Sequence, residues 1–270
     1  MSDLVSRILT AVVFGSFALF LTWFGGAVFF LFVWLIGGFI LYEWIGITGE
    51  KWNAAQKILA GVFYLFFCPF LIWGVSPLLV FFALIVFSGL LAIFGSGRNS
   101  GWVFSGFLYS SFPVEALSLL RGNEMLGFWV VIFLFAIVWG TDISGYFSGR
   151  TFGGPKLAQR FSPNKTWSGA IGGTIAGVFG GTLIAFCFLN ASLGSFFVPL
   201  LAFALSAVSQ VSDLGQSWLK RKFSVKDSGY LLPGHGGFMD RMDGLVGAAF
   251  FLYLIGSFMS GIDTPFNLFS

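Results

Sequence analysis

Apolar segments recur along the chain with only short polar breaks. They fall near residues 8–24, 27–46, 58–74, 77–95, 102–120, 125–141, 168–189, 195–215 and 243–261. A run of about 20 apolar residues spans the hydrocarbon core of a bilayer. Backbone groups in lipid must pair within their own segment, so such runs are helices. The pattern predicts an all-α, polytopic transmembrane helix bundle of about nine spans. The fifth run is the least regular, because it holds Pro113 and Glu115.

Charge placement orients the bundle. With the N-terminus in the cytoplasm and the spans alternating, all 14 basic residues except Arg121 fall in inside loops or at their edges. This is the asymmetry of the positive-inside rule. Eight spans, with 102–120 lying in the interface, would put the two late basic loops on opposite faces. Nine spans bring both to the cytoplasmic face. Composition agrees: 57% of the 270 residues are apolar and 9% are charged, against about a quarter charged in a soluble domain. Such a chain cannot cover a water-facing surface. Arg7 precedes an apolar run without a small-residue cleavage site, which argues against a cleaved signal peptide. Cys68 and Cys187 sit inside apolar runs and read as packing residues.

The character of the chain shifts near residue 141. Residues 1–141 read as N-terminal transmembrane helices, a scaffold and a candidate source of dimer contacts. Residues 142–270 read as a C-terminal catalytic membrane domain with two long cytoplasmic loops, near 142–167 and 217–242. Structureless loops of that length tend to be functional.

The second loop concentrates the chemistry. Asp240 and Asp243 are three apart at the entry to the last apolar run, hence on one helical face. They form an open Mg²⁺ platform, since magnesium takes one or two carboxylates and fills its shell with water and substrate phosphates. Asp213, at the end of the preceding span, is placed to complete it, and an acid in a span is functional by default. Lys220, Arg221, Lys222 and Lys226 offer partners to phosphate oxygens. Arg241 points elsewhere on the helix. Pro233–Gly237 permits unusual backbone angles, so the amides around His235, Gly236 and Gly237 offer a cradle for anions. The first loop adds Asp142, and Ser162 and Lys165 just before a helix start, an anion-friendly place.

The stretch from Ser217 to Asp243 resembles the signature of the phosphatidate cytidylyltransferase family, the CDP-diacylglycerol synthases. The Lys-Arg pair, the Lys-Asp pair, His-Gly-Gly and Asp-Arg-x-Asp fall at matching spacing. The loop from Asp142 to Gly173 is also similar, with Gly145 where Ala is frequent and Ser168 where a larger polar residue is frequent. Before Asp142 only a hydropathy profile is shared. The resemblance implies a Mg²⁺-dependent enzyme, with a second cation as an option, that joins CTP to phosphatidic acid and releases pyrophosphate. It implies a homodimer embedded in membrane lipid, with no nucleic-acid partner. The compact chain suggests a bacterial inner (plasma) membrane, with the active site facing the cytoplasm. On this reading Asp213, Asp240 and Asp243 hold metal. Lys226, Lys220, Arg221 and Lys222 meet the phosphates of CTP or lipid. Lys165 and Ser162 are further phosphate contacts. His235, Gly236, Gly237, Arg241 and Asp142 complete the substrate-binding set.

Plainer readings stand beside these. The acids could cap a helix, the late bases could mark topology beside anionic lipid heads, and His235 could serve its turn structurally. Asp227 could bind metal or pair with a neighbouring lysine. Gly169, Gly173, Gly177 and Gly181 form a small-residue stripe whose usual meaning is close helix packing. Pro69 reads as a helix kink. For Glu43 and Glu115 an interfacial position or a buried hydrogen bond is simpler than a catalytic role. Two other functions share part of the pattern. A CTP-dependent lipid kinase of the polyprenol or phytol type would use the same nucleotide and metal. A transporter would also carry charges in its spans, although here they cluster at span ends and in loops.

Overall fold

The computed structural model describes residues 3–94, 100–189, 196–231 and 236–269, and only the backbone for 3–11, Cys68, Pro69 and Leu71. The expectations for the side chains of Arg7, Cys68 and Pro69 and for His235 therefore lie outside the described residues. Nine α-helices stand among them: α1 Asp3–Phe24, α2 Gly26–Thr48, α3 Ala54–Ile72, α4 Pro77–Ile93, α5 Ser100–Arg121, α6 Met125–Phe152, α7 Trp167–Phe188, α8 Phe197–Lys222 and α9 Met239–Ser260. Six of the helical stretches are long and apolar enough to cross a membrane; those of α1, α3 and α4 are shorter apolar helices. The protein is an all-α integral membrane protein.

Two boundaries differ from the expected ones. Helix α6 does not end at Asp142 but continues to Phe152, and α8 continues through the basic run to Lys222. Both loops are correspondingly shorter. The first also holds a hairpin of β1 (Lys156–Ala158) and β2 (Ser162–Thr166), antiparallel, with Lys156 opposite Thr166 and Ala158 opposite Ser162. The reason is that polar and glycine residues beyond a span can continue a helix whose hydrogen bonds are already propagating.

The chain forms two compact units. The first comprises Met1–Asn123 and Val225–Arg241, the second Glu124–Ser224 and Met242–Ser270.

In the first unit, α5 packs on α2 and α4. Phe29, Leu84, Leu91, Phe107 and Leu120 are fully buried there. Polar groups join the helices, which matters because lipid tails give no hydrophobic drive for one helix to leave them for another. Trp34 Nε1 donates to the Tyr64 carbonyl at 2.9 Å, and Tyr64 Oη returns a bond to the Trp34 carbonyl at 2.8 Å. Gln56 Nε2 reaches the Leu91 carbonyl at 2.6 Å. Arg121 is buried and donates to the carbonyls of Thr22 at 2.5 Å and Trp23 at 3.1 Å. It thus serves the carbonyls that the end of α1 leaves without helical partners, and its charge suits the negative end of that helix.

In the second unit, α6 and α7 make the most intimate pair. The glycine stripe is the reason. A Cβ at Gly173 would stand 2.5 Å from the Thr141 carbonyl oxygen, and one at Gly177 2.9 Å from that of Ile137. The stripe is close helix packing, as its usual meaning held. Gly145 lies on the facing surface, where a Cβ would be 3.2 Å from the Gly169 oxygen. Helix α8 is tied in by Thr141–Ser206 at 2.8 Å and by Gln210 Nε2 to Thr174 Oγ1 at 2.9 Å.

Candidate active site

In the second unit, three carboxylates and one ammonium share a neighbourhood. Asp142 comes from α6, Lys165 from β2, Asp213 from α8 and Asp243 from α9. Lys165 Nζ is ion-paired to Asp213 Oδ2. The charges of Asp213, Asp142 and Lys165 all act on Asp243. Asp243 is half-buried; its Oδ1 accepts from the Gly244 amide at 2.8 Å, and its carbonyl accepts from Ser212 Oγ. The local sequence explains the placement of Lys165. Thr166 caps α7, its Oγ1 accepting from the Gly169 amide at 3.1 Å. The Trp167 amide bonds the Pro155 carbonyl at 3.0 Å, and Ser168 Oγ bonds that of Gly153. Ser168, unusual for the resemblance, thus pins the loop.

Three carboxyl groups gathered around one lysine make this group rich in acid. Like charges held together are costly unless a cation offsets them. All-oxygen donors of this kind suit a hard divalent ion. Among the described residues no three acid, cysteine or histidine side chains converge closely enough to hold a metal by themselves. An ion such as magnesium, which keeps several waters and takes much of its shell from substrate phosphates, is compatible with so few protein ligands.

In the first unit, the returning segment is wound around two carboxylates. Asp240 Oδ2 accepts from the amides of Ser228 at 2.9 Å and Gly237 at 3.1 Å. A carboxylate has about four acceptor sites, so these bonds are compatible with a further role toward a cation. Gly236 takes φ 79°, which glycine adopts without penalty. The second carboxylate is Glu43 of α2, which is 1% exposed. It accepts from Ser228 Oγ at 2.8 Å, the Phe238 amide at 2.7 Å and the Met239 amide at 2.7 Å. Phe238 lies between the rings of Phe14 and Phe39, at 5.4 and 5.3 Å. Lys226 and Asp227 are exposed on the same segment.

The other expected residues occupy these places. Lys220, Arg221 and Lys222 form the last turn of α8, where bases complement the helix dipole. Arg221 and Lys222 line a hollow of about 310 Å³ with Arg160, Phe161 and Trp218. Lys222 Nζ lies 5.0 Å from the centre of the Trp218 ring. Ser162 is half-buried in β2, Gly237 is buried and Arg241 is exposed.

A model described as the cytidylyltransferase family matches residues 5–259. The chain belongs to the cytidylyltransferase family. The relatives agree over the whole length. A phosphatidate cytidylyltransferase of Brucella suis is 48% identical over 269 residues, covering 100% of this chain and 99% of the relative. One of Brucella abortus is 47% identical with the same coverage. One of Rickettsia bellii is 33% identical over 220 residues, 76% of this chain and 92% of the relative. For Glu43, the plainer reading of a buried hydrogen bond holds; what a lone acid in an apolar helix does not reveal is which residues it would meet.

Proposed function

We propose that this chain is a phosphatidate cytidylyltransferase, transferring CMP from CTP to phosphatidic acid to give CDP-diacylglycerol and pyrophosphate. The observation that carries this is the full-length similarity, at 48% identity, to enzymes of that name. The acid–lysine group of the second unit supports it, because phosphoryl transfer asks a protein for positioning and charge compensation rather than covalent chemistry.

The chemistry balances without a strong base. A phosphate monoester has a second pKa of about 6, so the lipid phosphate is largely dianionic at neutral pH. One of its oxygens attacks the α-phosphorus of CTP. A new P–O bond forms, the bond from the α-phosphorus to the bridging oxygen breaks, and pyrophosphate leaves with the electron pair. Asp213, Asp240 and Asp243 are the residues that would hold Mg²⁺, with Asp142 adding to the negative field and a second cation as an option. Bound magnesium would neutralise phosphate charge as it shifts toward the leaving group. Lys165 and Lys226, with Lys220, Arg221 and Lys222, would bind and orient phosphate oxygens. Ser162, Gly236, Gly237, His235 and Arg241 are further candidates for contacts with nucleotide or headgroup. The acyl tails stay in the bilayer.

In this reading all nine helices cross the membrane, the N-terminus and both loops face the cytoplasm, and the enzyme works as a homodimer in a bacterial inner membrane. The bacterial relatives and the basic loops support that arrangement. A liposome assay with CTP, phosphatidic acid and Mg²⁺ tests the activity. Label at the α-phosphorus of CTP should enter the lipid, and label at the γ-phosphorus should leave as pyrophosphate. Entry of γ-label into lipid would instead mark a CTP-dependent lipid kinase.

A further inference from the structure

We propose that Glu43 is a positioning residue for nucleotide binding: from helix α2 it holds Ser228 and the start of α9 in place, and so tunes affinity for CTP. The proposal rests on the reading of this chain as a cytidylyltransferase that uses this region toward CTP and metal.

The carboxylate of Glu43 is almost completely withdrawn from solvent. A buried charge is tolerated only where donors surround it, and Glu43 has three. Two are the backbone amides of Phe238 and Met239, at the start of α9. Those amides have no partner within the helix, and a negative charge is favoured at that end of the dipole. The third is the hydroxyl of Ser228, ten residues earlier in the chain than Phe238. One carboxylate thus holds both Ser228 and the start of α9. Ser228 relays the constraint, since its own amide donates to Asp240 Oδ2 at 2.9 Å. Position, rather than substrate contact, is what Glu43 can supply.

Two glycines pack against this group. A Cβ at Gly229 would lie 2.6 Å from Glu43 Oε1. One at Gly237 would lie 1.8 Å from Ser228 Oγ and 2.7 Å from Glu43 Oε2. Both positions lie against Glu43 or its partner Ser228, where a side chain would force them to shift.

A carboxylate, not merely a polar group, is required. Three donors face its two oxygens, and a Gln amide would turn an N–H₂ toward an N–H or O–H. The test uses full-length protein in liposomes, with wild type in the same assay, comparing Glu43→Gln, Glu43→Asp and Ser228→Ala. For Glu43→Gln the KM for CTP should rise at least tenfold, while the KM for phosphatidic acid stays within twofold of wild type. Glu43→Asp keeps the charge and should recover part of the loss. Ser228→Ala removes one donor and should raise the KM for CTP severalfold; it remains decisive if Glu43→Gln fails to fold. Trypsin should cut after Lys226 faster in Glu43→Gln than in wild type. Unchanged CTP KM in the folded variants would overturn the proposal. So would an equal rise in both KM values with a lowered melting temperature, which marks a merely structural acid. A wild type without cytidylyl transfer would sink the functional reading instead, and the trypsin comparison would still judge the role of Glu43.

Discussion

Asp243 and Glu43 are both carboxylates at the edge of membrane helices, and their surroundings are opposite in kind. Glu43, in the first unit, accepts three hydrogen bonds among the described residues: from two amides and a hydroxyl, each at 2.7–2.8 Å. Asp243, in the second unit, sits in the field of two further acids, Asp142 and Asp213, with a single lysine among them. The first acid is met by donors and the second stands mainly among other acids. A buried polar group that is fully paired builds structure. A cluster of acids of this kind is a functional-site candidate. Two acids of the same class can thus be sorted into architecture and chemistry by asking what faces them.

The sharpest way to break this contrast is to neutralise Asp243. Asp243→Asn should lower turnover by about 10²–10³-fold, the scale of losing one group that compensates charge in a transition state. The protein should still insert and purify. Wild-type activity at limiting Mg²⁺ would remove Asp243 from the metal site.

Removing the cation should have an effect of similar kind. Chelation with EDTA should abolish transfer in liposomes, and added Mg²⁺ should restore it. Activity that survives chelation would mean that the acids serve some other ligand.

Next comes the lysine. Lys165→Met should reduce kcat/KM for CTP by about 10–100-fold, since it removes the positive partner of Asp213 and, in the proposed reading, a phosphate contact. A double-mutant cycle with Asp213→Asn should show strong coupling; simple additivity would mean that the ion pair is incidental.

A smaller change is expected on the packing side. Gly173→Ala forces a methyl group against the Thr141 carbonyl and should destabilise the second unit by about 1–3 kcal/mol. Thermal unfolding would read this as a lower melting temperature, with the KM for CTP little changed.

The smallest effect belongs to the end of α8. Lys222→Ala should alter kcat/KM less than fivefold, because this base lies over the Trp218 ring beside Arg221. A large loss would move that turn from topology and dipole compensation into the substrate site.

The relation of sequence to structure differs between the two regions. The helices were legible because a bilayer turns hydropathy directly into secondary structure: apolar runs of sufficient length have one way to satisfy their backbones. The glycine stripe was legible because four-residue spacing places small residues on one helical face. Asp213, Asp240 and Asp243 were conspicuous as candidates, since they stand at the ends of apolar runs where charge is rare. Helix ends were harder. The extension of α6 past Asp142 and of α8 through Lys222 follows from hydrogen bonds already propagating, which composition does not record.

What the chain determined by itself is therefore its solvent, its helices and the class of its chemistry. These depend on residue type and local spacing. Only tertiary structure decided which charges meet. The pairing of Lys165 with Asp213 joins residues 48 apart, and Glu43 reaches partners 185 to 196 residues away. No local pattern encodes a contact of that separation, because it exists only once helices have packed and loops have closed over them.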